Sequence, residues 1–207
     1  LWLAQNRKPM PYNPNKHHRK SIRLKGYDYS QAGLYFITIC CQNRAHLFGN
    51  VINKQMILND AGIMVEKWYY ELEKKFPDIQ CHGMIVMPNH FHCIIENTGT
   101  IPVGSYLRVC PNSPTGEQTD LGEHDNILSE HAGSPLQRVL QWFKTMTTNE
   151  YIRGVKNYGW EPFNGKFWQR NYYEHIVRND HSFHAISDYI HNNPANWFAD
   201  RLNSKKP

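Results

Sequence analysis

The sequence predicts an α+β domain in which an antiparallel sheet carries two helices on one face. Three observations lead there. Short runs rich in β-branched and aromatic residues recur along the chain, as in LYFITICC and IQCHGMIVM. Between them lie stretches whose apolar residues repeat at helical spacing, each opened by a capping residue. The resulting order is strand, helix, strand, strand, helix, strand and one further helix; its first six elements form a split βαβ arrangement.

The elements follow in order. The 207 residues suffice for one good-sized domain. Residues 1–32 carry Pro9, Pro11 and Pro14 and then a basic run, and read as an irregular arm. LYFITICC, from Leu34 to Cys41, is a buried strand, followed by a turn-rich connection. Asn59 or Asp60 caps a helix to about Lys75, with Val65, Tyr69, Leu72 and Phe76 on one face, and Pro77 ends it. IQCHGMIVM and HFHCIIE are hairpin partners across a Pro88-Asn89 turn. Residues 98–134 shift to Gly, Ser, Thr, Asn and Pro with little apolar periodicity, the composition of a mobile insertion. Ser134-Pro135 opens the second helix as N-cap and N1, with Leu136, Val139, Phe143 and Met146 inward and Arg138 and Lys144 outside. FWQRNYYEHIV is the fourth strand. The last helix starts after Asn179-Asp180, runs through Ile186 and Ile190, and is expected to stop near Pro194. The domain so defined spans 33–197, and 198–207 form a basic tail.

Bulk properties narrow the function classes. A net charge of +5 tilts the chain toward a polyanionic partner. No apolar run approaches a membrane span, and the start lacks the apolar core of a secretory signal. Five cysteines with no CxxC pair fit a reducing compartment, so a cytoplasmic location is expected.

The chemistry concentrates in two places. In MPNHFHCIIEN, His90 and His92 are two residues apart on a strand, so both imidazoles share a face while Phe91 and Cys93 take the other. Two co-facial imidazoles are half of a divalent-metal site. HxH alone is a weak signal; the fixed turn before it and the apolar strand after it strengthen it. In SDYIHNNP, Tyr189 and Asn193 are one helical turn apart, with His191 as an alternative ligand on a different face. Glu174 and Arg178 share a strand face and are assigned no catalytic role.

Taken in order, MPNHFH, the helix carrying Val139, Phe143 and Lys144, FWQRNYYEHIVRN and DYIHNNPANW resemble the REP-associated tyrosine transposases, a branch of the single-tyrosine HUH transposases. The resemblance spans Gly33 to Trp197. It implies a ferredoxin-like HUH domain with a C-terminal helix carrying the tyrosine. It implies His90, His92 and Asn193 as ligands of Mg²⁺ or Mn²⁺, and Tyr189 as nucleophile. The implied activity is cleavage and rejoining of single-stranded DNA beside hairpin-forming palindromes through a 5′-phosphotyrosine, with the enzyme at the prokaryotic nucleoid. Lys144 would contact a phosphate near the cut, the arm residues Arg19, Lys20, Arg23 and Lys25 would track the backbone, and Trp168 would stack on unpaired bases. No small-molecule cofactor and a monomer are expected. Two alternatives stand beside this reading: a relaxase or replication-initiator nickase, and a non-catalytic single-stranded nucleic-acid binder on the same topology.

Overall fold

A computed structural model describes residues 31–99 and 135–203. The strands are β1 (Gly33–Cys40), β2 (Gly49–Ile52), β3 (Gln55–Leu58), β4 (Ile79–Met87), β5 (His90–Asn97) and β6 (Tyr173–Val177). The helices are α1 (Asp60–Lys75), α2 (Pro135–Tyr158) and α3 (Asp180–Asn196). The main sheet has the order β4-β5-β1-β6 with every neighbouring pair antiparallel. This is the ferredoxin-like split βαβ order the sequence predicts.

Alternation along the two central strands builds a core on each side of the sheet. Tyr35, Ile37 and Ile39 of β1 and Phe91, Cys93 and Ile95 of β5 face α1 and α2, where they meet Val65, Tyr69, Leu72, Val139 and Phe143. Phe36 and Ile94 take the opposite face and pack with Val177 and Ile190. Burial on both faces explains why these strands read as nearly continuous apolar runs. The helix α1 starts where expected: the Asn59 side chain accepts from the Gly62 amide at 3.0 Å. Where β4 bulges between Cys81 and Met84, the Tyr69 hydroxyl sits between the carbonyls of His82 (3.1 Å) and Ile94 (2.7 Å). That contact keeps the bulged edge attached to the helix beneath it.

Four features depart from the sequence reading. The turn-rich connection before α1 contains a two-stranded ribbon, β2 paired with β3, whose turn holds Asn53 and Lys54 at φ of 51° and 64°. The fourth strand is shorter than FWQRNYYEHIV. Only Tyr173–Val177 joins the ladder, with Trp168 making a lone bridge to Cys41. Lys144 Nζ donates to the carbonyls of Gln169 (2.6 Å) and Arg170 (3.1 Å), so those groups are satisfied away from the sheet. Trp168 is buried, its indole N–H bonded to the Thr147 hydroxyl at 2.9 Å, and is not available to stack on bases. Finally, α3 does not stop before Pro194 but carries it inside its last turn. Pro194 and Trp197 are both buried there, and this packing outweighs the local preference of the residue before proline. Ser134, which the sequence reading makes the α2 N-cap, and the insertion beyond Gly99 lie outside the described residues.

Candidate metal and tyrosine site

The register sets the site. His92 lies opposite Thr38 and His90 opposite Cys40 on β1, so both imidazoles leave the sheet on the face that α3 covers. Their ring centroids are 4.5 Å apart. Each ring is held through Nδ1. His92 Nδ1 bonds the Thr38 hydroxyl at 2.8 Å, and His90 Nδ1 bonds Asn89 Oδ1 at 2.7 Å. The Asn89 amide nitrogen donates to the carbonyls of Arg44 and Leu202, which fixes its oxygen as the acceptor for His90. His90 therefore carries its proton on Nδ1 and presents a lone pair at Nε2.

Burial keeps both rings neutral. It pushes His90 well below the usual histidine range, helped by neighbouring His92, and brings His92 down to about 3. The hydroxyl of Tyr189 lies 3.3 Å from His92 Nε2. Tyr189 is 46% exposed and lines the cleft. Burial of the remainder raises its pKa, Asp200 raises it further, and a hydrogen bond from Asn193 and the charge of Arg201 lower it. Phe36 forms the floor, stacked on His92 at 5.3 Å and edge-on to Tyr189 at 6.0 Å. The whole opens into a cleft of about 1090 Å³ whose walls include Tyr173, His175, Asn193 and Arg201.

Two buried polar atoms here have no hydrogen-bond partner: His90 Nε2 and Asn193 Oδ1. A buried acceptor without a donor is costly, and a cation is one way to satisfy it. The donor set of two neutral imidazoles and one amide oxygen fits a divalent ion. Among the described residues no group of three His, Cys, Asp or Glu side chains is placed to hold a metal, and the unpartnered amide oxygen of Asn193 is the polar atom that stands beside the two imidazoles. His191 is exposed and does not line the cleft.

The other residues singled out in the sequence are distributed differently. Lys144 lies outside the cleft, in a second groove on the α2 side. Arg19, Lys20, Arg23 and Lys25 lie outside the described residues. Glu174 pairs with Ile37, on the face toward α1 and α2, and forms no ion pair with Arg178. Thr38, Asn89 and Arg201 escaped the sequence reading. A lone threonine inside LYFITICC was the one available signal, since a hydroxyl in such a run needs a partner.

Comparison with known proteins gives one sequence relative and a set of solved structures. No family model matches the chain. Among solved structures, a REP-associated tyrosine transposase bound to a REP hairpin is similar at TM-score 0.46 and 19% identity, covering 80% of this chain and 68% of that one. A candidate transposase of Deinococcus radiodurans is similar at TM-score 0.40 and 12% identity, covering 82% of this chain and 95% of that one. Among the described residues no helix is long and apolar enough to cross a membrane. An uncharacterized protein of Haemophilus influenzae is 37% identical over 198 residues, 92% of this chain and 96% of that protein. Identity at that level along nearly the full length of both means that the chain belongs to one family with the Haemophilus influenzae protein.

Proposed function

We propose that this protein is a metal-dependent transposase of the single-tyrosine HUH kind, which cleaves and rejoins single-stranded DNA beside a hairpin through a 5′-phosphotyrosine. One observation carries the reading: the lone pair of His90 Nε2 and the oxygen of Asn193 are buried and unpartnered around a tyrosine hydroxyl that His92 contacts at 3.3 Å. Buried polar atoms are usually satisfied, and two unpartnered acceptors converging beside one hydroxyl favour a bound cation. The four sequence segments, MPNHFH through DYIHNNPANW, support the same assignment.

The chain's own groups divide the work. Asn89 holds His90 in the Nδ1–H tautomer and Thr38 holds the His92 ring through Nδ1, so both Nε2 atoms point into the site, where they would bind Mg²⁺ or Mn²⁺ together with Asn193. When bound, the ion supplies positive charge that polarises a non-bridging phosphate oxygen and stabilises the departing 3′-oxygen. Tyr189 is protonated at neutral pH, since burial raises it above the usual phenol range. Its oxygen attacks phosphorus in line as the bond from phosphorus to the 3′-oxygen breaks, and in net the phenolic proton passes to the released 3′-oxygen. The phosphodiester is exchanged for a phosphotyrosine ester of similar energy. A second 3′-hydroxyl can therefore reverse the step and join a new strand without ATP.

The pure-binder alternative expects exposed aromatics on the central strands. Phe36 of β1 and Phe91 of β5 are both buried, and among the described Phe, Tyr and Trp residues carried by the strands only Tyr173, on the edge strand β6, is exposed.

The test is a denaturing gel with end-labelled, hairpin-containing single-stranded DNA and Mn²⁺. It compares wild type with Tyr189→Phe and His90→Ala/His92→Ala. A covalent protein–DNA band in wild type alone is the expected result. Cleavage that survives Tyr189→Phe without an adduct would make the site a hydrolytic nuclease and end this reading.

A further inference from the structure

The cleft is poor in fixed positive charge. Among the described residues Arg201 is the only lysine or arginine in its walls, and Asp200 stands beside it. A protein that holds DNA needs cations against the phosphates. They occur next door. A second groove of about 700 Å³ is lined by Lys144, Lys166 and Arg170, with no aspartate or glutamate among the described residues of its walls. Lys166 and Arg170 are exposed, and neither has an ion-pair partner among the described residues. Lys144 is anchored in the wall by two carbonyls, and burial together with the charge of Lys166 pushes it down to about 8. Gathering like charges without a carboxylate is unfavourable for the fold alone, and an anion in the groove relieves it.

The two cavities meet at one segment. Gln169 and Asn171 line the cleft, Arg170 lines the groove, and Tyr172 lines both. This segment leads into β6, an edge of the sheet. A ridge one chain wide, about 5 Å, separates them, a distance that one strand of DNA covers in one or two nucleotides.

We propose that the groove lined by Lys144, Lys166 and Arg170 binds the phosphodiester backbone of the DNA that passes over the sheet edge into the Tyr189 cleft. The ligand's identity as DNA rests on the function proposed above. The division is between neighbouring cavities: the groove supplies affinity and the cleft supplies chemistry.

The test measures binding by fluorescence anisotropy across a salt series, with three labelled probes: a hairpin with a single-stranded tail, an unstructured single strand, and a blunt duplex. Wild type is compared with Lys166→Ala/Arg170→Ala, and with Lys54→Ala/Lys75→Ala as a control of equal charge change. Loss of two phosphate contacts lowers the salt slope by about 1.4 for a single strand or about 1.8 for a duplex. Between ~1 M and ~0.15 M salt that amounts to a relative affinity loss of about 15- to 30-fold. A loss on hairpin and duplex probes assigns the groove to the stem, and a loss on the single strand assigns it to the tail; both support the proposal. Unchanged affinity and slope in the groove variant, or an equal loss in the control, overturns it. The adduct assay separates the two ideas: wild type that binds DNA but forms no adduct removes the cleavage reading and leaves the groove standing on its affinity data.

Discussion

The Thr38 hydroxyl is the smallest group that the proposed chemistry depends on. It is the cross-strand neighbour of His92 and holds Nδ1 of that ring at 2.8 Å in a buried setting. Thr38→Val keeps the shape and removes the partner. A buried ring nitrogen left without its partner costs about 1–3 kcal/mol, so the variant is expected to unfold at lower urea yet still fold. Loss of such an outer partner lowers metal affinity by roughly 10- to 100-fold, to be read by Mn²⁺ titration calorimetry. Unchanged Mn²⁺ affinity would mean that Thr38 does not orient the ring. Lys144 makes a pH prediction. Its ammonium titrates at about 8 in the fold against 10.5 ordinarily, with burial the larger cause. Between those values the unfolded chain binds more protons, so the fold gains stability as pH rises through the window and loses it as pH falls through about 8. The urea midpoint of wild type should therefore climb relative to Lys144→Met between about pH 8 and about pH 10. A gap that stays constant would show that the two carbonyls hold the ammonium at its ordinary pKa.

At the scale of elements, α1 is fixed by close approach as well as by its cap. A Cβ on Gly62 would lie 2.5 Å from the Phe48 carbonyl oxygen and 2.7 Å from Leu58 Cδ2. The first contact is backbone and cannot swing aside, so the helix start or the β2–β3 ribbon must shift. Gly62→Ala gains up to about 1 kcal/mol of helix propensity but loses roughly 1–3 kcal/mol to overpacking. The expected outcome is a net loss in urea denaturation; a more stable variant would show that the ribbon yields freely. The same elements show what the sequence made legible. The periods of 2 and 3.6 were enough to put His90 with His92 and Tyr189 with Asn193, because each pair lies within one element. The β2–β3 ribbon was hidden because its turn uses Asn53-Lys54 and lacks the glycine that normally signals φ > 0. Trp168 was misjudged because its burial depends on Thr147, a residue of another element. Pro194 was misjudged because tertiary packing of Trp197 overrides a local rule. What was missed in each case depends on a contact between distant segments, and periodicity carries no record of that.

Across the whole molecule, Asn89 joins the candidate metal site to the end of the described chain. Its oxygen accepts from His90 at 2.7 Å, and its nitrogen donates to the Leu202 carbonyl at 2.8 Å and the Arg44 carbonyl at 3.3 Å. Arg44 in turn donates to the Arg201 carbonyl at 2.8 Å. The segment after α3 is thereby clasped to the β4–β5 turn, with Trp197 packed against His90 at 5.9 Å between centroids and Asp200 and Arg201 in the cleft wall. One side chain thus sets the tautomer of His90 and positions the wall facing it. Two substitutions separate these roles. Asn89→Ala removes both, so Mn²⁺ affinity should fall by about 10- to 100-fold and amide protection at residues 198–203 should drop in hydrogen exchange. Asn89→Asp keeps an acceptor for His90 but turns a donor into a carboxylate facing the Leu202 carbonyl, so protection at 198–203 should drop while Mn²⁺ affinity is largely retained. If Asn89→Ala leaves exchange at 198–203 unchanged, the clasp lies elsewhere. If Asn89→Asp loses Mn²⁺ affinity as fully as Asn89→Ala does, the wall and the ligand are one coupled unit, and the tautomer argument for His90 is not sufficient.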